Sequence, residues 1–286
     1  MTRRRPLTRW GGFAGWALML PAVAVVVIFF AVPVVLLSAR SFLEPEPGFG
    51  QYVQLFSDKT SITILTRTIV VALLVTVVTL LLSYPYAYLM SITSPRVRAL
   101  LLFLVLLPFW SSLMARSFAW IVLLQPQGPV AVALRAIGLE GIPLLGSQVG
   151  VTIAMAQVLL PFMVLPLSNS MAQIDRNLLS AAYSMGASRI RAFVKVYLPL
   201  SLPGVTAGSV LVFILSLGFW VTPRLIGSPQ QSLVGQFIQT KVATLLDFAG
   251  AGALSVVLLV TTCILLAVAG GAARGMLSTG GGSRNE

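Results

Sequence analysis

Histidine is absent from this chain of 286 residues, and its one cysteine, Cys263, lies inside an apolar run. These two facts exclude Cys/His metal sites and a disulfide framework, and they remove Ser/His/Asp and Cys/His nucleophilic catalysis. Charge is nearly as scarce, at 9% of residues against roughly 25% in an ordinary soluble domain. Only seven carboxylates occur, and the one close pair, Glu44 and Glu46, sits in a Pro-rich loop; a paired-carboxylate hydrolase has nothing to work with. None of the three lysines, Lys59, Lys195 and Lys241, follows a Gly-rich phosphate cradle, so ATP binding of the P-loop kind is excluded. No cofactor or metal is expected. What fills the chain instead is apolar. A hydrophobic content of 57% and a mean hydropathy of +0.96 exceed what a soluble fold of this size buries. The sequence is that of a membrane protein, and the energy for any work it does comes from a partner or a gradient.

A bilayer core takes about 20 apolar residues per helix. Six runs qualify, at about 13–38, 62–91, 97–124, 148–171, 202–222 and 248–273, which predicts an all-α polytopic protein with six transmembrane helices. Arg3, Arg4, Arg5 and Arg9 precede the first run as they would a signal peptide. The run is too long for an h-region of about 7–15 residues and ends on no small-x-small cleavage site, so it reads as a retained span. The expected division is a tail over 1–12, a helical membrane domain over 13–273 and a tail over 274–286. With the N-terminus inside, twelve Lys and Arg fall on the inner side and seven on the outer side or in the outer span halves. Both termini are therefore expected in the cytoplasm. The net charge of +12 reads as a basic inner face toward anionic lipid, not as a nucleic-acid surface. Outer loops at about 40–61, 125–147 and 223–247 carry Pro/Gly turns and have room for short surface or re-entrant helices.

The inner connection 172–201 differs from the rest. The link between the second and third spans is a few residues long, whereas this one runs about 30 and is neither Gly/Ser-rich nor charged throughout. Residues 178–185 space Leu178, Leu179, Ala181, Ala182 and Met185 onto one apolar face. Gly186 supplies a left-handed residue to end that helix. Ser188 then caps a second helix, with Ile190, Phe193, Val194 and Tyr197 expected on one side and Arg189, Arg191 and Lys195 on the other. Pro199 and Pro203 are expected to end it and turn the chain back into the membrane. The product is a helix–turn–helix knob.

Ser180-Ala181-Ala182, three residues, Gly186, nine residues and Val196-Tyr197-Leu198-Pro199 resemble the E-A-A-x3-G-x9-I-x-L-P signature of ABC importer permeases. Flanking segments, Leu160 to Leu167 and Pro199 to Gly208, together with Leu107-Pro108-Phe109-Trp110 and Val221-Thr222-Pro223, are similar to the spermidine/putrescine-type permeases through all six spans. The resemblance implies a type I importer permease fold in which Ser180, Ala181, Ala182, Gly186, Val196, Leu198 and Pro199 dock against a separate ATPase. It also implies the partners: an ABC ATPase dimer, a second permease chain, usually related but different, and an extracytoplasmic solute-binding protein, all at a bacterial inner membrane. Two positions depart from the pattern. Ser180 stands for Glu, which removes a charge that Asp175 is placed to supply; Val196 stands for Ile, a loss of one methylene.

For the solute path the residues leave more open. Arg116 falls deep in the third run, where a charge is costly unless it faces a cavity or a partner; structural pairing or snorkelling are its other readings. Trp110, Trp120, Trp220 and Phe219 are candidates for aromatic walls, with interface anchoring as the alternative. Polyamine is the solute the resemblance suggests, yet no Asp or Glu lies inside a span to meet a dication. An ion-gradient transporter would need intramembrane ionisable groups and often repeated halves. A non-transporting scaffold would not need the knob's spacing.

Overall fold

The computed structural model describes residues 13–44, 46–139, 141 and 143–279; the expected tail over 1–12, and residues 280–286 of the other, lie outside the described residues. All regular structure described is helical. Helix α1 (Phe13–Val26) passes through a π-turn, Val27–Ala31, into α2 (Val32–Leu43). The wider turn falls just before Pro33, whose missing N–H forbids the regular ladder there. A short helix, α3 (Gly50–Ser57), precedes α4 (Lys59–Ile92). Asp58 starts α4 by accepting the N–H groups of Thr60 and Ser61, both at 3.0 Å, the role of an N-cap. A two-residue link leads to α5 (Pro95–Leu106), then a 3-10 turn (Leu107–Trp110), α6 (Leu113–Leu124) and α7 (Pro129–Ala136). Ser147 caps α8 (Gln148–Ala172), and α9 (Arg176–Ser184) and α10 (Arg189–Ala192) follow. A second π-turn, Phe193–Tyr197, leads without interruption into α11 (Leu198–Leu217); α12 (Val221–Ile226), α13 (Val234–Ala243) and α14 (Phe248–Thr279) follow.

Among the described residues, six helical segments are long and apolar enough to cross a membrane: Met19–Leu43, Lys59–Ile92, Leu113–Ala136, Gln148–Ala172, Arg189–Leu217 and Phe248–Val268. Their centre is α8, packed between α4 and α11, with Met155, Leu159, Met163 and Leu167 fully buried. The apolar stretch of α8 is 61% buried, that of the first segment 0%. The first segment is therefore a peripheral helix, and it touches the bundle through α2 against α14. In lipid no hydrophobic force separates helix from solvent, so close approach depends on small residues. Gly204 and Gly208, one turn apart on α11, supply it against α8. A Cβ at Gly204 would lie 2.6 Å from the Ser170 Cβ and 3.0 Å from the Pro166 carbonyl oxygen.

Two expectations need correction. The run 97–124 is not one helix: α5 stops at Leu106, a 3-10 turn and two serines follow, and the third long apolar segment starts only at Leu113 and runs to Ala136. Pro108 and two serines end α5 where hydropathy alone shows a continuous run. Pro199 does not end the knob's second helix either. It lies at the start of α11, and the π-turn before it carries α10 onward so that residues 189–217 form one rod. A proline in the first turn of a helix removes only an N–H that has no partner anyway.

Candidate functional site: a braced knob and a broken span

Asp175 opens the knob by accepting the Asn177 N–H at 2.9 Å. Helix α9 turns Leu179 and Ala182 toward the bundle and ends at Gly186, which has φ +82°. Two bonds close that end: Gly186 N–H to Tyr183 O at 2.9 Å and Ala187 N–H to Ala182 O at 3.0 Å, the paired pattern of a Schellman stop. Ser188 then accepts the Arg191 N–H at 3.4 Å. Of the signature positions, Ser180, Ala181, Gly186 and Pro199 are exposed, Val196 and Leu198 half-buried, and Ala182 buried. Asp175 is engaged as a cap.

The expected apolar face of α10 divides. Phe193 and Tyr197 turn inward, while Ile190 (78% exposed) and Val194 turn outward beside exposed Arg189, Arg191 and Lys195. Met185, 83% exposed, joins Ile190. Exposed apolar side chains grouped on a rigid tip mark an interaction surface. Beneath it lies an aromatic brace that spacing alone did not single out. The Tyr88 ring meets Phe193 and Tyr197 edge-on at 5.7 and 5.2 Å, Tyr84 meets Phe193 at 6.2 Å, and Phe193 stacks on Tyr197 at 5.6 Å. Hydroxyl pairs at 2.9 Å join Tyr84 to Ser201 and Ser91 to Tyr197. The four rings occur one helical turn apart, 84 with 88 and 193 with 197, and that repeat was the available signal. A cavity of about 480 Å³ lies under the knob, lined among others by Tyr88, Arg98, Leu179, Tyr183 and Tyr197.

The second locus is the broken span. Arg116, in the first turns of α6, reaches back over the break: Nη2 donates to the carbonyl oxygens of Pro108 and Ser111, and Nε to the Ser111 hydroxyl at 3.4 Å. The Pro108 carbonyl also accepts the Ser111 N–H at 3.2 Å and the Ser111 hydroxyl at 2.8 Å, and a guanidinium suits the negative end of a helix. Trp110 is 73% exposed and packs on Phe103 at 5.7 Å. Trp120 donates its Nε1–H to Gln157 Oε1 at 3.3 Å, and Phe219 packs against the main core. Trp220 lies just before α12. No ring contact joins any two of these four aromatics among the described residues. Near the start of α14, Asp247 pairs with Lys241 at 2.6 Å and accepts the Gly250 N–H at 2.7 Å. Burial raises the Asp247 carboxyl, but those two donors outweigh it and hold the group below its ordinary range. No three His, Cys, Asp or Glu side chains gather among the described residues.

Residues 94–272 match the family described as binding-protein-dependent transport system inner membrane component. The spermidine/putrescine transport system permease protein PotB of Haemophilus influenzae is 31% identical over 252 residues, 85% of this chain and 88% of that one. Its Escherichia coli K12 counterpart is 29% identical, covering 85% and 91%. A probable molybdenum ABC transporter permease protein of Haloferax volcanii is 30% identical over 266 residues, 93% and 92% of the two chains. Among solved structures the fold is similar to a bacterial ABC transporter involved in import of the acidic polysaccharide alginate, with TM-score 0.67 and 19% identity over 91% of this chain and 94% of that one. It is similar as well to the alginate transporter in complex with an alginate pentasaccharide-bound periplasmic protein, with TM-score 0.69 and 18% identity.

Proposed function

From the premise that this chain belongs to the family of binding-protein-dependent transport system inner membrane components, we propose that its knob, residues 172–201, is the lever through which a separate ATPase moves the bundle. The chain is a multi-pass inner-membrane protein and the permease subunit of an ABC importer; it carries no ATPase of its own. The observation that supports the lever is the pairing of an exposed apolar tip, Met185 and Ile190, with an aromatic brace that ties it to α4 and α11. A force on Ile190 acts directly on the rod 189–217, and one on Met185 reaches it through the hydrogen-bonded turn 186–188. In this reading Ser180, Ala181, Ala182 and Gly186 form the docking helix and its stop, and Val196, Leu198 and Pro199 form the root. The knob and both termini face the cytoplasm, and the chain divides into tails at 1–12 and 274–286 around the membrane domain. A second permease chain completes the path, an ATPase dimer drives it, and a solute-binding protein docks on the outer side. Arg116, Trp110, Trp120 and Trp220 line the path, and the solute is a small amine, polyamine-like as the names of the PotB relatives suggest, or a related amino-acid derivative.

The test uses Met185→Cys in a Cys263→Ser background, in the assembled transporter. A short bifunctional thiol reagent is expected to join position 185 to the ATPase, with a yield that changes when ATP binds. Gly186→Asp is expected to leave the permease in the membrane and abolish ATP-driven uptake. A residue 185 that never joins the ATPase, together with undiminished uptake by Gly186→Asp, overturns the lever.

A further inference from the structure

The cavity under the knob plays no part in the lever or its aromatic brace. Its volume of about 480 Å³ falls within the range of ligand-sized sites, about 300–1,000 Å³. It lies where α4 and α8 both end and α5 begins, with α9 closing one side. Met90 and Met171, almost fully buried, give it an apolar base.

The charge brought to this cavity is of one sign. Arg98 lines it half-buried, and its guanidinium has neither a carboxylate nor a hydrogen-bond acceptor among the described residues. No Asp or Glu is among the described residues of the lining. Asp175, next to Ile174 of the wall, is engaged by the Asn177 N–H, and Ser180 stands in the wall where the E-A-A signature has Glu. A half-buried guanidinium without a partner is a receptor for an oxyanion, above all a phosphate. The Tyr88 and Tyr183 hydroxyls, which also line the cavity, have no hydrogen-bond partner among the described residues and add two donors. The Ser94 side chain leaves α5 uncapped, and Pro95, at that positive helix end, lines the same cavity.

Two features favour a lipid phosphate over a soluble one. The cavity sits between the ends of membrane helices on the basic side of the chain, and basic pockets so placed hold anionic headgroups at the cytoplasmic leaflet. Beyond Arg98 the outer side of α5 is apolar and exposed, at Leu100, Phe103 and Leu104, a surface for acyl chains to cover while the headgroup stays in the cavity.

We propose that this cavity binds the phosphate headgroup of an anionic phospholipid through Arg98 and the Tyr88 and Tyr183 hydroxyls, so that the lipid ties the start of α5 to α9 beneath the knob. The proposal goes beyond the lever and rests on the same orientation, with the knob in the cytoplasm.

The assembled transporter, released from nanodiscs of mixed phosphatidylglycerol and phosphatidylcholine, is weighed by native mass spectrometry and its retained lipid counted. Phosphatidylglycerol is expected to be retained over phosphatidylcholine, whose phosphate already carries an ammonium partner. Arg98→Gln should lower retention at least about fivefold, the equivalent of about 1 kcal/mol for one arginine at the leaflet. Ser180→Glu, which places a carboxylate in the wall, should lower it as well, while Ser180→Gln and Arg96→Gln, the second at an exposed cation outside the lining, should not. Equal loss with Arg96→Gln would mean diffuse surface charge and overturn the site. Displacement of the lipid by millimolar inorganic phosphate would assign it to a soluble oxyanion and overturn the lipid. Unchanged retention in Arg98→Gln with loss of the ATPase would assign Arg98 to that subunit, and overturns the proposal too. Thiol linking of position 185 to the ATPase, scored on the same variants, tests the lever separately.

Discussion

Gly186 stops α9 through its backbone alone. Its φ of +82° is a conformation L residues avoid, yet a Cβ there would meet nothing within 4 Å. Substitution therefore costs backbone energy, about 1 kcal/mol, and not a clash. The expected order of damage is Asn, then Ala, then a β-branched residue such as Val, since Asn accepts the left-handed region best. The knob should stay folded throughout while its tip loses aim; co-purification of the ATPase with each variant would read the series. Equal ATPase recovery from Gly186→Asn and Gly186→Val would contradict this account. Asp247 makes a prediction of a different sort. Its carboxyl is held low in the folded chain, so its contribution is present above the unfolded value of about 3.9 and is lost as pH falls through the lower folded value. Thermal stability should be level from pH 7 to 5 and decline below about pH 4, with Asp247→Asn removing part of the decline. The pair is partly exposed, so the change is about 1 kcal/mol or less.

Between elements, the junction of α8 and α11 tolerates the least. A Cβ at Gly208 would come 2.7 Å from the Met163 sulfur, part of a flexible side chain, and 3.2 Å from the Met163 carbonyl oxygen, so that a shift of a few tenths of an ångström accommodates it. At Gly204 the obstacles are the Ser170 Cβ and backbone of α8, which cannot move aside. Gly208→Ala should be mild, and Gly204→Leu should cost about 2–3 kcal/mol by overpacking; heat-induced unfolding in detergent would compare them. Much at this level was legible in the sequence. Hydropathy marked six apolar crossings, and the spacing from Ser180 to Pro199 marked the knob, since a short helix, a stop and a second helix each leave a residue signature. The break at 111–112 left little trace, because apolar composition runs straight across it and Pro108 is one of many prolines in spans. The rod 189–217 was hidden for the opposite reason: a π-turn places Pro199 where it does no harm. Periodicity also failed to divide Ile190 and Val194 from Phe193 and Tyr197, because a helix apolar on both sides has no unique inner face.

Across the whole chain, ion pairing differs between the two sides. Arg40 pairs with Glu44 at 3.8 Å and Lys241 with Asp247 at 2.6 Å, all at one end of the bundle. At the other end Arg96, Arg189, Arg191 and Lys195 are exposed without a carboxylate partner among the described residues. Unpaired cations favour the anionic cytoplasmic leaflet by about 1 kcal/mol per residue near its surface, and Lys/Arg excess is what sets orientation during insertion. The knob end should therefore face inward. Two positions report this independently, each as a single cysteine with Cys263→Ser: Met185 at the knob tip and Val53 on α3, both strongly exposed. A membrane-impermeant maleimide should label position 53 in intact cells stripped of their outer membrane, and position 185 only in inverted vesicles. ATPase bound to the knob should slow labelling at 185 and leave 53 unaffected. The reverse pattern would place the lever on the wrong side of the membrane for any ATP-driven partner, and the unpaired arginines would then face the outer leaflet, against the charge rule that orients every other span.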